Sequence, residues 1–297
     1  MGAYDYFLLT GSPPTRRVGR GRASAAAWRC TVTKRMTILA AADHELTVLV
    51  PSYEEECRLP GTLAGLRGFL DAWGLDYRVV VVDDGSRDGT AAVSEQFGRR
   101  FSTLRLERHA GKGAAVRQGM LAATGQIVAF TDADLPYDLS ALQTACHWIR
   151  RGDCQVVFGA RDLAGATCHV RRKVSRIVAS AAFRQLVRLA ISKQVSDTQC
   201  GLKIFARPAA VDIFSRTTLD GFAFDAEVVL LCHRLGLPFR RVAVRLINEY
   251  SSTLSVSRHG WRMLRDVAWL AARDRISGKS VPPVRVPVVP RESRKAA

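Results

Sequence analysis

The chain has 297 residues, of which 47% are hydrophobic and 24% charged, which is enough for one large α/β domain or two small ones. Its 44 Lys and Arg residues exceed the 27 Asp and Glu residues, and the resulting formal net charge of +17 predicts an anionic partner. The seven cysteines include no CxxC pair, which excludes a disulfide framework or a cysteine zinc site. We expect no nucleic-acid partner, because the sequence has no zinc-finger, RNA-binding or helix-turn-helix signature.

The two ends of the chain differ in composition from the middle. Residues 1–44 are basic, rich in Gly, Ser, Pro and Ala, and without periodicity, which predicts a disordered basic leader. Residues 281–297 form a Pro-rich basic tail that we expect to be extended. No apolar run approaches the roughly 20 residues that span a bilayer, so we expect a protein that does not cross a membrane.

Apolar strands alternate with amphipathic helices from residue 45 onward. The pattern predicts strands at 45–52, 78–84, 103–108, 126–134 and 154–161. It predicts helices at 56–73 and 88–100, a helix that ends near Ala123, and a helix at 138–151. Because the strands are continuously apolar, we expect an α/β fold with a mostly parallel sheet sandwiched between helices.

Polar or glycine-rich segments follow four of these strands, at residues 51–55, 83–86, 109–113 and 132–134. Ligands bind at the carboxyl ends of the strands in open parallel sheets. We therefore expect the four segments to form one site.

Two of the segments indicate specific chemistry. Asp132 and Asp134 have the same parity beyond their strand, so both carboxylates can face one cavity and bind Mg²⁺ or Mn²⁺. The alternative is a solvated turn that caps the next helix. Glycines around Lys112 would let backbone amides approach a ligand, or they form a tight loop with a surface lysine. The spacing does not match GxxxxGK[ST], which excludes a P-loop ATPase.

The motifs VPSYEEE, VVVDDGSRDGT, HAGKGAAVRQGM and FTDADLP follow one another in this order, and DTQCGLKIF and GFAFDAEVVLLCHRLG come later. Over residues 45–270 the chain thereby resembles family 2 glycosyltransferases of the GT-A fold, in particular the glucosyltransferase branch of the dolichyl- and polyprenyl-phosphate sugar synthases. The resemblance implies one GT-A domain at 45–280, with a donor half at 45–160 and an acceptor half at 161–280. It implies an inverting enzyme that moves a hexose, with glucose favoured, from a nucleotide-diphosphate sugar to a polyprenyl or dolichyl phosphate.

The resemblance also implies roles for individual residues. The residues expected to bind the nucleotide sugar are Pro51, Tyr53, Glu55, Asp83, Asp84, Lys112, Asp132, Ala133 and Asp134. Asp132 and Asp134 would hold Mg²⁺ or Mn²⁺, with Asp134 favoured as the direct ligand. The expected catalytic residues are Asp134, Arg161, Asp197 and Asp225. Asp197, Asp225 and Glu227 are expected mainly to hold the site and orient cations.

Two departures from the family bear on the donor. Glu54 stands where the family usually has asparagine. Pro136 stands where some mannosyl members have a glutamine ligand, which weighs against a mannose donor. The family resemblance by itself favours UDP-glucose over GDP-mannose.

The acceptor half begins with a basic segment. The residues expected to bind the acceptor phosphate are Arg161, Arg171, Arg172, Ser175 and Arg176, with a solvated basic helix face as the alternative. A helix at 259–276 either lies on an acidic leaflet or packs on the core. We expect a cytoplasmic protein that is peripheral on the inner face of a membrane. A membrane-protein partner or a homo-oligomer is left open.

Other functions stay open at this point. One is a family 2 enzyme that mannosylates a lipid phosphate or extends a soluble or growing glycan. A hydroxyl acceptor of the latter kind would require a catalytic base. Another is a non-enzymatic basic scaffold or nucleic-acid binder, which would bind DNA or RNA in a salt-sensitive way.

Overall fold

A computed structural model of the chain describes residues 44–163, 166–168, 185, 187, 191, 195, 197–247 and 256–276. The predicted leader, apart from His44, and the predicted tail lie outside these residues and stay predictions. The described strands are β1 (Leu46–Ser52), β2 (Tyr77–Asp83), β3 (Phe101–Arg105), β4 (Ile127–Phe130), β5 (Val156–Ala160), β6 (Thr167–Cys168), β7 (Lys203–Ala206), β8 (Phe239–Ala243) and β9 (Arg245–Leu246). The described helices are α1 (Leu59–Trp73), α2 (Thr90–Val93), α3 (Lys112–Ala122), α4 (Ser140–Arg150), α5 (Arg207–Phe214), α6 (Phe224–Arg234) and α7 (Val256–Ile276).

Seven strands form one sheet in the order β3-β2-β1-β4-β7-β5-β8, and β6 pairs with β9 separately. Strand β7 is antiparallel to both of its neighbours, β4 and β5, whereas the other pairs in the large sheet are parallel. The prediction of a mostly parallel sheet is confirmed. Because β7 is reversed, its first residue lies at the same edge as the carboxyl ends of the parallel strands.

The valines of β2 contribute side chains to two hydrophobic cores, one on each face of the sheet. Val79 and Val81 belong to the core that α1 and α4 cover, whereas Val80 and Val82 belong to the core beneath α3, α5 and α6. Successive side chains of a strand point to opposite faces, so a strand that is buried on both faces must be apolar at every position.

The helix predicted at 88–100 is shorter than expected. It consists of α2 followed by a 3₁₀ turn at Ser94–Phe97, and it ends at Gly98, whose φ of 83° lies in the left-handed region that glycine favours. The amide of Phe101 then donates to the carbonyl of Gly98, so β3 begins two residues earlier than predicted.

The strand predicted at 126–134 ends at Phe130. The next residues form a turn in which the amide of Leu135 donates to the carbonyl of Asp132, and Leu135 has a φ of 42°. The predicted end of this strand at residue 134 was therefore wrong, because Asp132 and Asp134 lie in a turn beyond it. That both carboxylates face one cavity stays a prediction.

The predicted C-terminal helix is present as α7. Its Val267 and Leu270 are buried against Ala223, Ala226 and Leu230 of the α6 region, so one side of the helix packs on the core. Leu264 and Trp269 of the same helix are exposed, with exposed fractions of 38% and 47%. Among the described residues, no helix has the length and apolar character needed to cross a membrane.

We predict opposite stability changes for two substitutions in α1. Leu66 is fully buried, so Leu66→Ala should lower the free energy of unfolding by about 2–5 kcal/mol. Gly68 is exposed, and an added Cβ would meet no atom within 4 Å, so Gly68→Ala should raise it by about 0.5–1 kcal/mol. Urea unfolding of both variants measures the changes. Equal effects would contradict the burial pattern of this helix.

Candidate active site

The loops after β1 and β2 are joined by side-chain hydrogen bonds at the carboxyl edge of the sheet. The amide of Glu54 donates to Oγ of Ser86, and the amide of Glu55 donates to Oγ1 of Thr90, each at 2.9 Å. The expected convergence of the first two motifs is thus produced by a serine and a threonine, neither of which was predicted as a site residue.

Asp84 fixes the loop that leads into α3. Its two carboxylate oxygens accept from the amides of Ala110 and Gly111, each at 2.8 Å, and Nδ1 of His109 lies 2.9 Å from Oδ2. The His109 ring in turn contacts the exposed ring of Tyr53, with 4.0 Å between centroids. Tyr53 is thereby held at the mouth of the site, where a planar ligand can reach it. Direct contact between Asp84 and a nucleotide stays a prediction.

Asp83 has no exposed surface. Its Oδ1 accepts from the amide of Ser86 at 3.0 Å, and its Oδ2 lies 3.2 Å from Nε of Arg105. The structure thus gives Asp83 a role in holding the turn, and its contact with a nucleotide stays a prediction. Pro51 is buried within β1, and Ala133 is also buried, with its carbonyl accepting from Oγ1 of Thr62. Contact of these two residues with the nucleotide sugar stays a prediction.

Lys112 and Asp132 form an ion pair, with Nζ 2.5 Å from Oδ1. Burial disfavours both charged forms, but the mutual attraction outweighs it, so the pKa of Lys112 is raised and the pKa of Asp132 is lowered. Lys203 and Arg161 also lower the pKa of Asp132. Asp132 is therefore a carboxylate surrounded by cations.

Two further ion pairs lie beside this one. Nζ of Lys203 is 2.5 Å from Oδ1 of Asp225, and it also donates to the carbonyl of Cys200 at 2.8 Å. The guanidinium of Arg161 binds Asp197 through two nitrogens, at 2.8 and 2.6 Å, and the Arg161 amide donates to the same carboxylate. Asp197 and Asp225 thus each orient a cation, which is the geometry expected for them. Their catalytic roles stay predictions.

Asp134, Glu55 and Asp225 are carboxylates with raised pKa values in this region, and burial is the largest cause for each. Burial, followed by the charge of Asp132, raises the pKa of Asp134. Burial raises the pKa of Glu55 more than its ion pair with Arg58, at 2.9 Å, lowers it, and the charge of Asp134 adds to the rise. Within the described residues, Asp134 has no ion-pair partner. Excess negative charge therefore collects at Asp134.

This distribution of charge fits a divalent cation. Oxygen ligands suit Mg²⁺ and Mn²⁺, and a cation beside Asp134 would relieve the repulsion that raises its pKa. No group of three or more His, Cys, Asp or Glu side chains that could hold a metal ion occurs in the described residues. A cation at Asp134 would therefore need ligands beyond the described carboxylates, such as the oxygens of a diphosphate.

The glycines next to Lys112 approach protein backbone. A Cβ on Gly111 or Gly113 would collide with the carbonyl of Asp220 or of Leu219, and the amide of Gly113 donates to the carbonyl of Asp220 at 2.7 Å. The expectation that these glycines open the loop to a ligand is therefore replaced by close packing against the segment before α6. Glu227 holds that segment, because its carboxylate accepts from Thr218 and Leu219.

Sequence reasoning missed two residues in the motif DTQCGLKIF. Gly201 touches Asp132, since a Cβ on it would overlap the Asp132 carboxylate. Lys203 is only 1% exposed, and its charge acts on three aspartates of the site. A single lysine between apolar residues was the available signal. The predicted acceptor residues Arg171, Arg172, Ser175 and Arg176 lie outside the described residues.

The sheet order, the reversed strand and the acidic turn after β4 define a GT-A glycosyltransferase fold. The fold is similar to that of mannosyl-3-phosphoglycerate synthase from Rubrobacter xylanophilus, with a TM-score of 0.61 at 18% identity over 81% of this chain and 77% of that one. It is also similar to glucosyl-3-phosphoglycerate synthase from Mycobacterium tuberculosis in complex with Mn²⁺, UDP-glucose and phosphoglyceric acid. The TM-score there is 0.57 at 16% identity, over 84% of this chain and 86% of that one.

The sequence profile described as glycosyl transferase family 2 matches residues 47–214, and the chain belongs to this family. Its relatives include the dolichyl-phosphate beta-glucosyltransferase of Drosophila melanogaster, 34% identical over 77% of this chain and 75% of that protein. The protein of the same name from Dictyostelium discoideum is 30% identical, over 77% and 74%. The resemblance identified from the motifs is confirmed.

We predict that Gly201→Ala disables the enzyme without unfolding it. The added Cβ would displace the Asp132 carboxylate from Lys112, and misplacing a group by about 1 Å can lower the rate about 100-fold. Gly221→Ala is the matched control, because a Cβ there meets no atom within 4 Å. Initial rates and circular dichroism of both variants test this. Equal activity of the two variants would contradict the contact.

Proposed function

We propose that the chain transfers glucose from UDP-glucose to dolichyl or polyprenyl phosphate, producing a lipid-linked β-phosphoglucose with inversion. The observation that carries this proposal is the similarity to dolichyl-phosphate beta-glucosyltransferases over three quarters of the chain. The geometry supports it, because the carboxylates Asp132, Asp197 and Asp225 are each paired with a cation. A group held in this way is a poor general base.

A phosphate acceptor needs no such base, since its oxygen is already an anion at neutral pH. The phosphate oxygen donates an electron pair to the anomeric carbon, and the bond from that carbon to the diphosphate breaks with both electrons leaving on UDP. Attack from the opposite face converts an α-linked donor into a β-linked product. The protein must therefore align two anions and stabilise the departing one.

The donor half would bind the nucleotide sugar and stabilise its diphosphate as the leaving group. Tyr53 offers a ring at the mouth of the site, and the Lys112 ammonium lies beside the acidic turn where the diphosphate would sit. Asp134, with Asp132 nearby, would hold Mg²⁺ or Mn²⁺. When bound, such a cation would neutralise the charge that develops on the departing diphosphate.

The acceptor half would bind the second anion of the reaction, the acceptor phosphate. Arg161 is fixed by Asp197 through a two-nitrogen fork, and 28% of its side chain is exposed. We propose that its outer edge binds the acceptor phosphate together with Arg171, Arg172, Ser175 and Arg176. The fork to Asp197 holds the guanidinium in one orientation, which lowers the entropic cost of binding the acceptor.

We further propose that the protein works as a peripheral protein on the inner, cytoplasmic face of a membrane rich in acidic lipid. Trp269 and Leu264 are exposed on α7, and Arg262 and Arg265 are exposed on the same helix. An apolar ring flanked by arginines suits the boundary between acidic headgroups and acyl chains.

The central test is transfer of labelled sugar into the organic phase, with UDP-glucose or GDP-mannose as the donor and polyprenyl phosphate as the acceptor. We expect transfer from UDP-glucose that stops on addition of a chelator and returns with Mg²⁺ or Mn²⁺. Asp134→Ala should lower the rate at least about 100-fold, because it removes charge stabilisation of the leaving group. Asp76→Ala, an exposed carboxylate just before β2, should keep the wild-type rate.

Each outcome of this assay bears on a separate part of the proposal. Transfer from GDP-mannose alone would refute the glucose donor. Turnover that is indifferent to the chelator, or to Asp134→Ala, would refute the metal site. No labelled lipid with either donor, from folded protein, would refute the proposed reaction.

A separate measurement tests membrane contact. Trp269→Ala should weaken flotation with phosphatidylserine vesicles about tenfold, since an aromatic side chain contributes about 1.5–3 kcal/mol when it is buried. Leu121→Ala removes an equally exposed apolar side chain on α3 and should leave flotation unchanged. The membrane face of α7 is refuted if the two variants float alike.

A further inference from the structure

Two aromatic rings lie against each other in the open part of the carboxyl edge of the sheet. The Tyr53 ring follows β1 and the His109 ring follows β3, and their planes are inclined by 36° with 4.0 Å between the centroids. Tyr53 is 38% exposed, and 54% of the His109 side chain is exposed. Solvent therefore reaches both rings, which together are called the aromatic pair below.

The two rings come from loops that are not adjacent in the sheet. The strand order places β2 between β3 and β1, so the aromatic pair links the loops on either side of β2. Asp84 follows β2, and its Oδ2 lies 2.9 Å from Nδ1 of His109. A carboxylate oxygen accepts a hydrogen bond and does not donate one, so this contact orients the imidazole ring.

Asp84 is a rigid support for that contact. It is 3% exposed, and its two oxygens also accept from the amides of Ala110 and Gly111, each at 2.8 Å. The chain of contacts thus runs from a fixed carboxylate to the His109 ring, and from the His109 ring to Tyr53. His109 was not among the residues expected to bind the nucleotide sugar.

The loop that carries His109 also carries Lys112. The two Cα atoms are three residues apart, so they are separated by at most about 11 Å. Nζ of Lys112 pairs with Asp132 at the acidic turn after β4. The loop therefore has a ring at one end and a cation at the other, which matches the base and the diphosphate of one nucleoside diphosphate.

We propose that His109 is a positioning residue for the donor nucleotide, whose ring, oriented by Asp84, holds Tyr53 in place to contact the base of UDP-glucose. The inference rests on the proposed donor and adds the residue that orders its base-binding ring. A ring that is already ordered loses less entropy when the base binds. The contribution of His109 therefore lies in affinity for the nucleotide and not in the rate of bond breaking.

Isothermal titration of the full chain with UDP, in the presence of Mg²⁺, tests the inference without turnover. His109→Ala should weaken UDP binding about fivefold, because it removes the ring that orders Tyr53. His147→Ala is the matched control. His147 is also exposed, but it lies on α4, whose last residue pairs with Glu45 just before β1, and UDP binding should be unchanged. Thermal unfolding of each variant verifies that the protein is folded.

Two further substitutions separate the ring contact from the contact with Asp84. His109→Phe keeps a ring beside Tyr53 and loses the hydrogen bond, whereas His109→Asn keeps a polar group and loses the ring. We expect His109→Phe to bind UDP more tightly than His109→Asn does. The reverse order would overturn the inference, because the loop contact and not the orientation of Tyr53 would then determine affinity.

A double-variant cycle tests whether His109 acts through Tyr53. Tyr53→Ala should weaken UDP binding at least about fivefold, the lower end of what a base-stacking aromatic residue contributes. Tyr53→Ala/His109→Ala should bind no more weakly than Tyr53→Ala, because the ring that His109 orders is already absent. Additive losses would overturn the inference, since His109 would then act on the nucleotide without Tyr53.

Steady-state kinetics give a readout that a damaged loop would change differently. His109→Ala should raise the KM for UDP-glucose about fivefold and leave kcat within about twofold of the wild type. A lower kcat at unchanged KM would overturn the inference and indicate displacement of Lys112. A chain that binds no UDP would refute the proposed donor, whereas equal UDP binding by His109→Ala and His147→Ala would refute only the role of His109.

Discussion

One buried and two partly buried ion pairs at one edge of the sheet determine how the rest of the site is arranged. Charges placed in a weakly polarisable interior are tolerated only when each is paired and hydrogen-bonded. Lys112, Arg161 and Lys203 come from three different segments, and each finds an aspartate within 2.8 Å. The fold must therefore bring α3, β5 and β7 together accurately before any one of these charges is stable. The ion pairs thereby specify the geometry as much as they stabilise it.

The balance of positive and negative charges in these ion pairs also shows which carboxylate is left without a partner among the described residues. The three lysine and arginine cations offset Asp132, Asp197 and Asp225, and the excess carboxylate is Asp134 in the turn after β4. In the proposed reaction, a neutral surrounding network would leave the Asp134 carboxylate to interact with a cation and would keep the region from repelling a diphosphate. The arrangement suits a reaction between two anionic substrates, in which alignment and charge neutralisation matter more than proton transfer.

The sequence predicted the sheet well and the details of its edge less well. The valines of β2 are apolar on both faces, and only a buried parallel strand satisfies that pattern. The strand ends were harder, because Gly98 and the turn at Asp132–Leu135 depend on local φ angles that periodicity does not report. Lys203 and Gly201 were missed for a different reason. Their partners Asp225 and Asp132 lie far away in the sequence, and only the reversed β7 brings them together.

The backbone conformation of Glu54 bears on its departure from the asparagine that is usual in the family. Its φ of 54° lies in the left-handed region, which asparagine tolerates better than glutamate does. The asparagine usual in the family would suit this backbone without strain. Here the amide of Glu54 is held by Ser86, so the conformation is maintained by its neighbour across the site and not by local preference.

The position of β7 has a consequence for the chain during its synthesis. Strands β4 and β5 do not pair with each other, and each needs β7 between them to satisfy its backbone groups on that side. Until Lys203–Ala206 have left the ribosome, a nascent polypeptide therefore exposes two unfilled strand edges of apolar sequence, which are templates for aggregation. Chaperones that shield such edges would have their main task in that interval.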